Sequence, residues 1–209
     1  MDSTSIRILI AEDHLIARLG LAAIIKTQRD MKIISETNNG QDAIALYRRY
    51  KPDVVLMDVR MPVMNGFEAM ATIRSDFPEA RVIAISAFGG DQDIRQAFRC
   101  GAQSYLIKDI LQIELIEAIR AVHAGKQYLT DLAWTSLASD PPPPDLTHRE
   151  MEVLNLIVQG LSNKQISYTL GIAHYTVNNH VKSILTKLGV EDRTHAATIA
   201  IRRGIVHLY

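Results

Sequence analysis

Short apolar runs alternate with amphipathic stretches through the first 125 residues of this chain. The runs predict strands, and the stretches, whose apolar positions recur at helical spacing, predict helices. The predicted strands are 6–11, 32–35, 54–58, 82–86 and 104–107, and the predicted helices are 14–28, 40–50, 65–76, 91–99 and 110–124. Five such alternations are typical of βα units, so we expect a doubly wound α/β domain with a parallel sheet. Because runs such as 54–57 are apolar without interruption, helices should cover both faces of the sheet.

The alternation breaks in residues 130–145. This segment contains four consecutive prolines, Pro141 to Pro144, which favour an extended polyproline II conformation. We interpret 130–145 as a semi-rigid, proline-rich linker between two domains. A proline-rich ligand for a partner module is the alternative interpretation.

The C-terminal region, 146–209, contains the start and stop signals of several short helices. Its amphipathic stretches predict helices at 148–159, 163–170, 175–188 and 194–203. Thr147 with Glu150 and Ser162 with Gln165 are capping-box pairs at two predicted helix starts, and Gly189 stands where a glycine often ends a helix. Residues 1–129 and 146–209 should therefore form separate domains, the second of them all-helical.

Composition limits the classes of protein that the chain can represent. Its 209 residues are 47% hydrophobic, which is enough apolar material for two cores. Cys100 is the single cysteine, so an intrachain disulfide is excluded. The sequence contains neither an N-terminal signal pattern nor an apolar run of the about 18 to 20 residues that span a bilayer. We therefore expect a cytoplasmic protein.

Carboxylates stand at the ends of two predicted strands. Glu12 and Asp13 follow the first strand, and Asp58 ends the third. If the strand order is 2-1-3-4-5, these strands flank the point where the order reverses, and ligands collect at their carboxyl ends. Three carboxylates would repel one another there unless a divalent cation neutralised them, and oxygen ligands favour magnesium over zinc. The pattern predicts a Mg²⁺ site beside a nucleophilic aspartate.

Two further polar residues stand at the ends of the fourth and fifth predicted strands. Ser86 and Lys108 bring a hydroxyl and an ammonium to the same edge of the sheet. Both could hold phosphoryl oxygens while a carboxylate acts as nucleophile and Mg²⁺ neutralises charge, which is what in-line phosphoryl transfer requires. The expected product is an aspartyl phosphate on Asp58. Taken singly, each of these residues is more often a helix cap or a solvated surface group.

These residues carry a resemblance to the response regulator receiver domain of two-component signalling, over residues 1–125. The matching segments are AEDH at 11–14, LMDVRMPVMNG at 56–66, AISAF at 84–88 and GAQSYLIKD at 101–109. The resemblance implies a flavodoxin-like fold of order 2-1-3-4-5 and phosphoryl transfer from a sensor histidine kinase to Asp58. It also implies that Mg²⁺ is held by Glu12, Asp13, Asp58 and the backbone carbonyl of Arg60, that Ser86 and Lys108 contact the phosphoryl group, and that Tyr105 is an aromatic switch.

The pattern alone would make Tyr105 a half-buried strand aromatic. In the switch that the resemblance implies, phosphorylation adds about two negative charges at Asp58, draws Ser86 inward and vacates room for Tyr105. Glu12 replaces the more usual aspartate, which keeps a carboxylate at the metal site. The alternative from another class is a phosphatase of the dehalogenase type. Such an enzyme needs a second aspartate two residues after the nucleophile, where this chain has Arg60.

Residues 160–188 fit a helix-turn-helix plan, because a short turn at Leu170-Gly171-Ile172 separates two predicted helices. A helical hairpin that serves only for packing is the alternative. In the second helix the positions expected to face the core are Val177, Val181, Ile184, Leu185 and Leu188, and those expected to face outward are Tyr175, Asn178, Asn179, Lys182 and Lys187. An outward asparagine could pair with adenine, and Lys164, Lys182 and Lys187 could neutralise phosphates. Region 146–209 has 7 basic and 4 acidic residues, a modest excess, so DNA affinity should depend on dimerisation.

The same region resembles the LuxR-type helix-turn-helix of the NarL/FixJ response regulators. The matching segments are LTHREMEVLNLIVQGLSNKQISYTLGI at 146–172 and TVNNHVKSILTKLGVEDRTHAATIAIRRGIV at 176–206. The resemblance places Lys164 and Thr176 near phosphates, and Asn178, Val181 and Lys182 at base edges or the backbone. It also makes the last helix, with Ala196, Ala197, Ala200 and Ile201, a surface that pairs two DNA-binding domains, although a buried face within one domain is the alternative. Ala173-His174-Tyr175 and Asn178 depart from the family's serine cap and lysine, so the target sequence cannot be carried over.

Together these features predict a phosphorylation-dependent, DNA-binding transcriptional regulator rather than an enzyme. Mg²⁺ is the expected cofactor. The expected partners are a sensor histidine kinase, double-stranded promoter DNA, a second copy of the chain when it is active or DNA-bound, and RNA polymerase; a membrane is not expected. The alternative is a DNA-binding regulator that is controlled by dimerisation or by partner proteins and whose phosphorylation pocket is unused.

Overall fold

A computed structural model of the chain describes residues 5–138 and 146–206, without the side chains of 110–113. The sheet and its helices form one compact unit, and the C-terminal helices form a second. Pro141 to Pro144, for which the sequence predicts polyproline II, lie outside the described residues. No helix within the described ranges is long and apolar enough to cross a membrane.

The first unit alternates strands and helices as its hydrophobic pattern predicts. The strands are β1 (Ile6–Ala11), β2 (Met31–Thr37), β3 (Val54–Asp58), β4 (Val82–Ser86) and β5 (Ser104–Ile107). The helices are α1 (Leu15–Lys26), α2 (Gly40–Tyr50), α3 (Gly66–Asp76), α4 (Asp91–Arg99) and α5 (Leu111–His123), with a 3-10 turn at Lys108–Ile110. All neighbouring strands are parallel, in the order β2-β1-β3-β4-β5, which confirms the predicted topology.

Alternate side chains of the strands enter two separate cores. Leu9, Val55 and Ala84 face one side of the sheet, where α2, α3 and α4 supply the other apolar side chains. Ile10 and Leu56 face the opposite side, where α1 and α5 cover the sheet. Both faces are therefore buried, as the uninterrupted apolar strands predict.

The strand register brings the carboxyl ends of β1, β3, β4 and β5 to one edge. Ala11 pairs with Met57, and Asp58 pairs with Ile85. Directly behind this edge, α3 begins at Gly66, where a Cβ atom would lie only 2.0 Å from the carbonyl oxygen of Asp58. Only glycine allows the start of α3 to approach the end of β3 this closely. The backbone around Asp58 is therefore tightly fixed.

The predicted linker contains a helix, α6 (Asp131–Ala138). Thr130 caps it, because its Oγ1 accepts a hydrogen bond of 3.1 Å from the backbone N–H of Ala133. Ala133 is fully buried in one of the two cores of the first unit. Within the predicted linker, residues 131–138 thus form a short capped helix that packs onto the first unit, and the extent of the linker stays a prediction.

The second unit consists, in its described part, of α7 (His148–Val158), α8 (Asn163–Leu170), α9 (His174–Leu188) and α10 (Arg193–Arg202). Both predicted capping boxes are present, at Thr147 and at Ser162. Gly171 and Gly189 end α8 and α9 with φ angles of 62° and 67°, in the left-handed region that favours glycine. These turns give the unit the helix-turn-helix arrangement that the sequence predicts.

Candidate functional site

Five residues that the sequence singles out meet at the carboxyl edge of the sheet. We call Glu12, Asp13, Asp58, Ser86 and Lys108 the acidic pocket. Glu12 is 1% exposed, Asp58 2% and Ser86 0%. Ionisable groups this deeply buried are rare unless they are paired or bind a ligand. The structure thus brings Glu12, Asp13, Asp58 and Lys108 together, with Ser86 buried at the end of the neighbouring strand β4.

Lys108 links the two buried carboxylates of the acidic pocket. Its Nζ donates hydrogen bonds of 2.8 Å to Glu12 Oε1 and 2.8 Å to Asp58 Oδ2. The other oxygen of Asp58, Oδ1, accepts a 3.0 Å bond from the backbone N–H of Arg60. One ammonium therefore faces two carboxylates, and the pocket carries more negative than positive charge when both are ionised.

Both Asp58 and Lys108 have raised pKa values in the acidic pocket. Burial raises the pKa of Asp58, and the nearby Glu12 carboxylate raises it further. Hydrogen bonds from Lys108 and Arg60 lower it only in part, so the pKa of Asp58 is about 7. Burial alone would lower the pKa of Lys108, but its bonds to Asp58 and Glu12 outweigh that effect and raise it. Lys108 is therefore a cation at neutral pH, and Asp58 binds a proton more tightly than an ordinary aspartate does.

The geometry of the acids fits a hard divalent cation. Ligand atoms of Glu12, Asp13, His14 and Asp58 all lie within 4.8 Å of one another. Carboxylate oxygens at this separation can converge on Mg²⁺, which prefers oxygen ligands. His14 is a neighbour that sequence reasoning missed, and its Nδ1 lies 2.8 Å from Asp13 Oδ1. Its place in the AEDH segment was the available signal.

Ser86 and Tyr105 are joined through the backbone of Phe88. Ser86 Oγ accepts a 3.1 Å hydrogen bond from the Phe88 N–H, and the Tyr105 hydroxyl donates a 2.7 Å bond to the Phe88 carbonyl. Tyr105 is 1% exposed, so the expectation of a half-buried aromatic is wrong. The reason is its partner across the sheet, Ala84, which is small enough to leave room for the ring.

The predicted DNA-contact residues lie on α8 and α9, on both sides of the Gly171 turn. Lys164, Asn178, Asn179 and Lys182 are exposed, whereas Thr176 and Val181 are half-buried. The N-cap residue of α9, Ala173, makes no side-chain hydrogen bond, which agrees with the missing serine cap. Two tyrosines are also largely exposed, Tyr168 at 91% and Tyr175 at 73%. This face is polar and basic, as a nucleic-acid surface requires.

A parallel sheet with an acidic pocket occurs in regulators and in enzymes such as dehalogenase-type phosphatases. Comparison with known families distinguishes between these classes. The family model described as the response regulator receiver domain matches residues 8–120. A second model, described as bacterial regulatory proteins of the luxR family, matches residues 144–200. This chain belongs to the response regulator family. The two matches cover the acidic pocket and the helix-turn-helix respectively.

Several curated relatives are similar to this response regulator over nearly its whole length. The uncharacterized transcriptional regulatory protein YxjL of Bacillus subtilis is 36% identical, with 99% of this chain and 100% of the relative covered. LiaR of the same organism, a transcriptional regulatory protein, is also 36% identical and covers 97% and 100%. The response regulator protein VraR of Staphylococcus aureus is 32% identical and covers 97% and 99%. The response regulator is thus a phosphorylation-dependent, DNA-binding regulator of transcription.

Solved structures agree on the fold. The response regulator ChrA of a heme-sensing two-component system aligns with a TM-score of 0.58 at 30% identity, covering 96% of this chain and 98% of that one. A complex of the response regulator RcsB with DNA aligns with a TM-score of 0.67 at 20% identity, covering 95% and 99%. At that identity the second likeness concerns the fold alone.

One predicted DNA-contact residue of the response regulator is engaged within its own unit. Lys187 Nζ lies 2.6 Å from Oε2 of Glu150, which is 4% exposed, so its ammonium is paired within the unit, and its contact with DNA stays a prediction. Glu150 also accepts a 2.6 Å bond from the hydroxyl of Ser183. Burial raises the pKa of Glu150, but hydrogen bonds from Lys187, Ser183 and Thr147 outweigh it and bring the pKa to about 2. We call Glu150, Lys187, Ser183 and Thr147 the helix clamp, because it joins α7 to α9.

The last helix of the response regulator uses two of its small residues internally. Ala196 and Ala200 are fully buried in the core of the second unit, whereas Ala197 is half-buried and Ile201 is 36% exposed. The alternative interpretation of these alanines, a buried face within the domain, therefore holds for Ala196 and Ala200. Dimerisation through α10 would depend on the other residues of the helix.

Proposed function

We propose that Asp58 is the phosphoacceptor and that the acidic pocket couples its phosphorylation to DNA binding by α9. The supporting observation is that one ammonium, from Lys108, spans two buried carboxylates at the meeting point of the strand ends. A purely structural pocket would gain from having one carboxylate fewer. The excess negative charge suits a site that takes up a divalent cation and then a phosphoryl group.

In the proposed reaction, a carboxylate oxygen of Asp58 attacks the phosphorus of a phosphohistidine on a sensor histidine kinase. A P–O bond forms, the P–N bond breaks, and the histidine of the kinase leaves with the electron pair. Lys108 and Ser86 then hold phosphoryl oxygens, which stabilises the charge that spreads over them. When bound by Glu12, Asp13, Asp58 and the Arg60 carbonyl, Mg²⁺ supplies the remaining charge neutralisation. Only the ionised form of Asp58 can act as the nucleophile.

The link from Ser86 through Phe88 to Tyr105 supports a route for the switch. A phosphoryl group that attracts the Ser86 hydroxyl competes with the hydrogen bond from the Phe88 N–H. Because the Phe88 carbonyl accepts the bond from Tyr105, a shift of this peptide changes the position of that ring. Tyr105 is already buried, so phosphorylation would act on this link and not by opening a space for the ring, as the sequence had suggested.

The output of the proposed switch is the seating of α9 in the major groove of promoter DNA. Lys164 and Thr176 would contact phosphates, and Asn178, Asn179, Val181 and Lys182 would lie at base edges or the backbone. Lys187, the remaining predicted DNA contact, also pairs with Glu150 in its own unit. Because the basic charge of the second unit is modest, the expected DNA-bound form is a homodimer. The expected location is the cytoplasm, and RNA polymerase is a further expected partner.

The proposal can be tested with a small phosphodonor, acetyl phosphate, and Mg²⁺. Wild type should gain one hydroxylamine-labile phosphoryl group and bind its selected DNA more tightly. Asp58→Asn should gain neither property. Asp76→Asn, which removes an exposed carboxylate that pairs with Arg48, is the matched control and should behave as wild type. Chelation of Mg²⁺ should stop the modification of wild type.

Two results would contradict the proposal. Modification of Asp58→Asn at the wild-type level would mean that another residue accepts the phosphoryl group. Equal DNA affinity and dimer fraction for wild type and Asp58→Asn, after treatment with the phosphodonor, would mean that dimerisation or partner proteins alone control the regulator.

A further inference from the structure

A line of side-chain hydrogen bonds crosses from the start of α10 through α8 to α9. Arg193 Nη2 donates to the carbonyl of Leu161 at 2.5 Å, and Arg193 Nη1 donates to Asn163 Oδ1 at 3.1 Å. Asn163 Nδ2 then donates to Asn178 Oδ1 at 2.8 Å. The line ends where Asn178 Nδ2 lies 3.4 Å from His174 Nδ1. We call these contacts the amide relay.

The chemistry of arginine sets the direction of the amide relay. A guanidinium can only donate, so the side of the Asn163 amide that faces Arg193 must be its oxygen. The Nδ2 of Asn163 therefore faces Asn178, which must present its own oxygen in turn. The orientation of the Asn178 amide follows from Arg193, two hydrogen bonds away. The side-chain amide of an isolated surface asparagine can adopt either of two flipped orientations. The amide relay allows only one of them for Asn178.

The amide relay leaves part of Asn178 available. An asparagine side chain has two acceptor lone pairs on its oxygen and two donor hydrogens on its nitrogen. Asn163 uses one lone pair, and His174 lies beside the nitrogen and can take one hydrogen. One acceptor and one donor remain on the same amide, and Asn178 is exposed on α9.

One acceptor beside one donor matches one base in the major groove. Adenine presents its N6 amino group as a donor and N7 as an acceptor. Guanine presents two acceptors there, cytosine one donor and thymine one acceptor, so none of them can satisfy both groups of the amide. The chemistry left on Asn178 therefore selects adenine.

We propose that Asn178 reads an adenine in the major groove and that Asn163, held by Arg193, is its positioning residue. The inference rests on the proposed seating of α9 in DNA and adds to it the base that is read. Because the amide is already oriented, no side-chain freedom of Asn178 is lost when it binds the base. The relay thus gives sequence preference to a surface with only a modest basic charge.

The test begins with selection of binding sites from random double-stranded DNA by the full chain treated with acetyl phosphate and Mg²⁺. Affinities are then measured for the selected site and for versions in which each adenine is replaced by 7-deazaadenine, which lacks the N7 acceptor. Wild type should lose about tenfold or more at one adenine of each half-site. Asn178→Ala should bind more weakly and be insensitive to 7-deazaadenine at that position.

Two variants separate positioning from direct contact. Asn163→Ala should keep an intact Asn178 and yet lose most of the sensitivity to 7-deazaadenine, because the amide can then adopt either orientation. Asn163→Ser serves the same purpose if the alanine variant folds poorly. Thr186→Ala changes an exposed residue of α9 that is not among the proposed DNA contacts and should keep the wild-type sensitivity at that adenine.

Each possible result is informative. If Asn178→Ala stays sensitive at every adenine, Asn178 does not read the base. If both Asn163 variants fold and keep full sensitivity, Asn163 is not a positioning residue. If wild type selects no DNA sequence at all, the proposed function of α9 fails as well, and this outcome distinguishes the two failures.

Discussion

The acidic pocket and the helix clamp each pair a lysine with buried carboxylate, but in different proportions. In the pocket, Lys108 faces both Glu12 and Asp58. In the clamp, Lys187 faces Glu150, whose other hydrogen bonds come from hydroxyl groups and from the Thr147 backbone N–H. The consequences for proton affinity are opposite, because the pKa of Asp58 rises to about 7 whereas that of Glu150 falls to about 2.

The ratio of carboxylates to ammonium groups distinguishes a reactive cluster from a structural one. A carboxylate matched by one ammonium and by hydroxyl donors is satisfied, so it stabilises the fold and needs no further ligand. Two carboxylates that share one ammonium retain a negative charge in a buried place. This excess negative charge can be neutralised by a proton, by a bound cation, or by a cation that accompanies a covalent phosphoryl group. The unneutralised negative charge of the acidic pocket therefore destabilises the free protein and favours the proposed binding of Mg²⁺ and of a phosphoryl group.

Removal of each lysine should break the comparison most clearly. Lys108→Met removes the donor that holds a phosphoryl oxygen, and we expect the rate of phosphoryl uptake from acetyl phosphate to fall about 100-fold. Lys187→Met is the matched control, since it removes an ammonium from the clamp and should leave uptake unchanged. Equal loss in the two variants would contradict a special role for Lys108. The measurement is the time course of phosphoprotein formation.

Loss of Glu150 should destabilise the second unit. Glu150→Ala removes one half of the capping box and the charged partner of Lys187, at a cost of about 3 kcal/mol in the free energy of unfolding. Hydrogen exchange of the amides of α7 and α9 measures the effect locally. Glu152→Ala removes a half-buried carboxylate of the same helix that pairs with Arg149, and it should change this protection much less. Similar loss of protection in both would mean that the clamp is not special.

The clamp also predicts a pH dependence. Because its folded pKa is lowered, Glu150 contributes stability that is fully present above the ordinary glutamate value of 4.5. That contribution should be lost as the pH falls from 4.5 towards about 2. Exchange protection of α7 and α9 in wild type should therefore decline through this window, and Glu150→Ala should show a flatter decline.

The acidic pocket should respond in the opposite direction. The folded pKa of Asp58 is raised, so the unfolded chain releases a proton that the folded chain keeps between pH 3.8 and about 7. Ionisation of Asp58 therefore lowers the stability of the fold as the pH rises through this window. At about pH 8 without divalent cations, Asp58→Asn should raise the free energy of unfolding by about 2 kcal/mol. Urea denaturation measures this change, and a destabilised variant would contradict the account.

Mg²⁺ should stabilise the first unit by a smaller amount. At ten times its Kd, a ligand that binds only the folded state adds about 1.4 kcal/mol to the free energy of unfolding. This gain should disappear in Glu12→Gln and in Asp13→Asn, as measured by thermal unfolding with and without MgCl₂. Glu36→Gln, which removes a partly exposed carboxylate that pairs with Arg18, should retain the gain. Retention of the gain in the pocket variants would place the cation elsewhere.

Much of this architecture can be predicted from the sequence, because the apolar residues follow two patterns: short runs in the strands and helical spacing in the helices. Short apolar runs predicted all five strands, and the polar residues that end four of them predicted the acidic pocket. The helix-turn-helix was readable from capping boxes and glycines, which act within one turn of the chain. These features depend on neighbours in sequence, so no knowledge of the tertiary structure was required.

The features that the sequence did not reveal depend on partners that are distant along the chain. Helical spacing placed Lys187 on the outside of α9, but it carries no information that Glu150 of α7 lies beside it. The contact of Asn163 with Asn178 likewise joins two helices. The helix at 131–138 was missed for a different reason, since eight residues beside a run of prolines give little periodicity.

Burial and the nearby Glu12 carboxylate raise the pKa of Asp58, whereas the hydrogen bonds from Lys187, Ser183 and Thr147 lower that of Glu150. The most direct test is a pH titration of the side-chain carboxyl carbons of Asp58 and Glu150 by ¹³C NMR, in the full chain without divalent cations. We expect Asp58 to titrate near pH 7 and Glu150 near pH 2. Titration of both groups near the ordinary value of about 4 would contradict it.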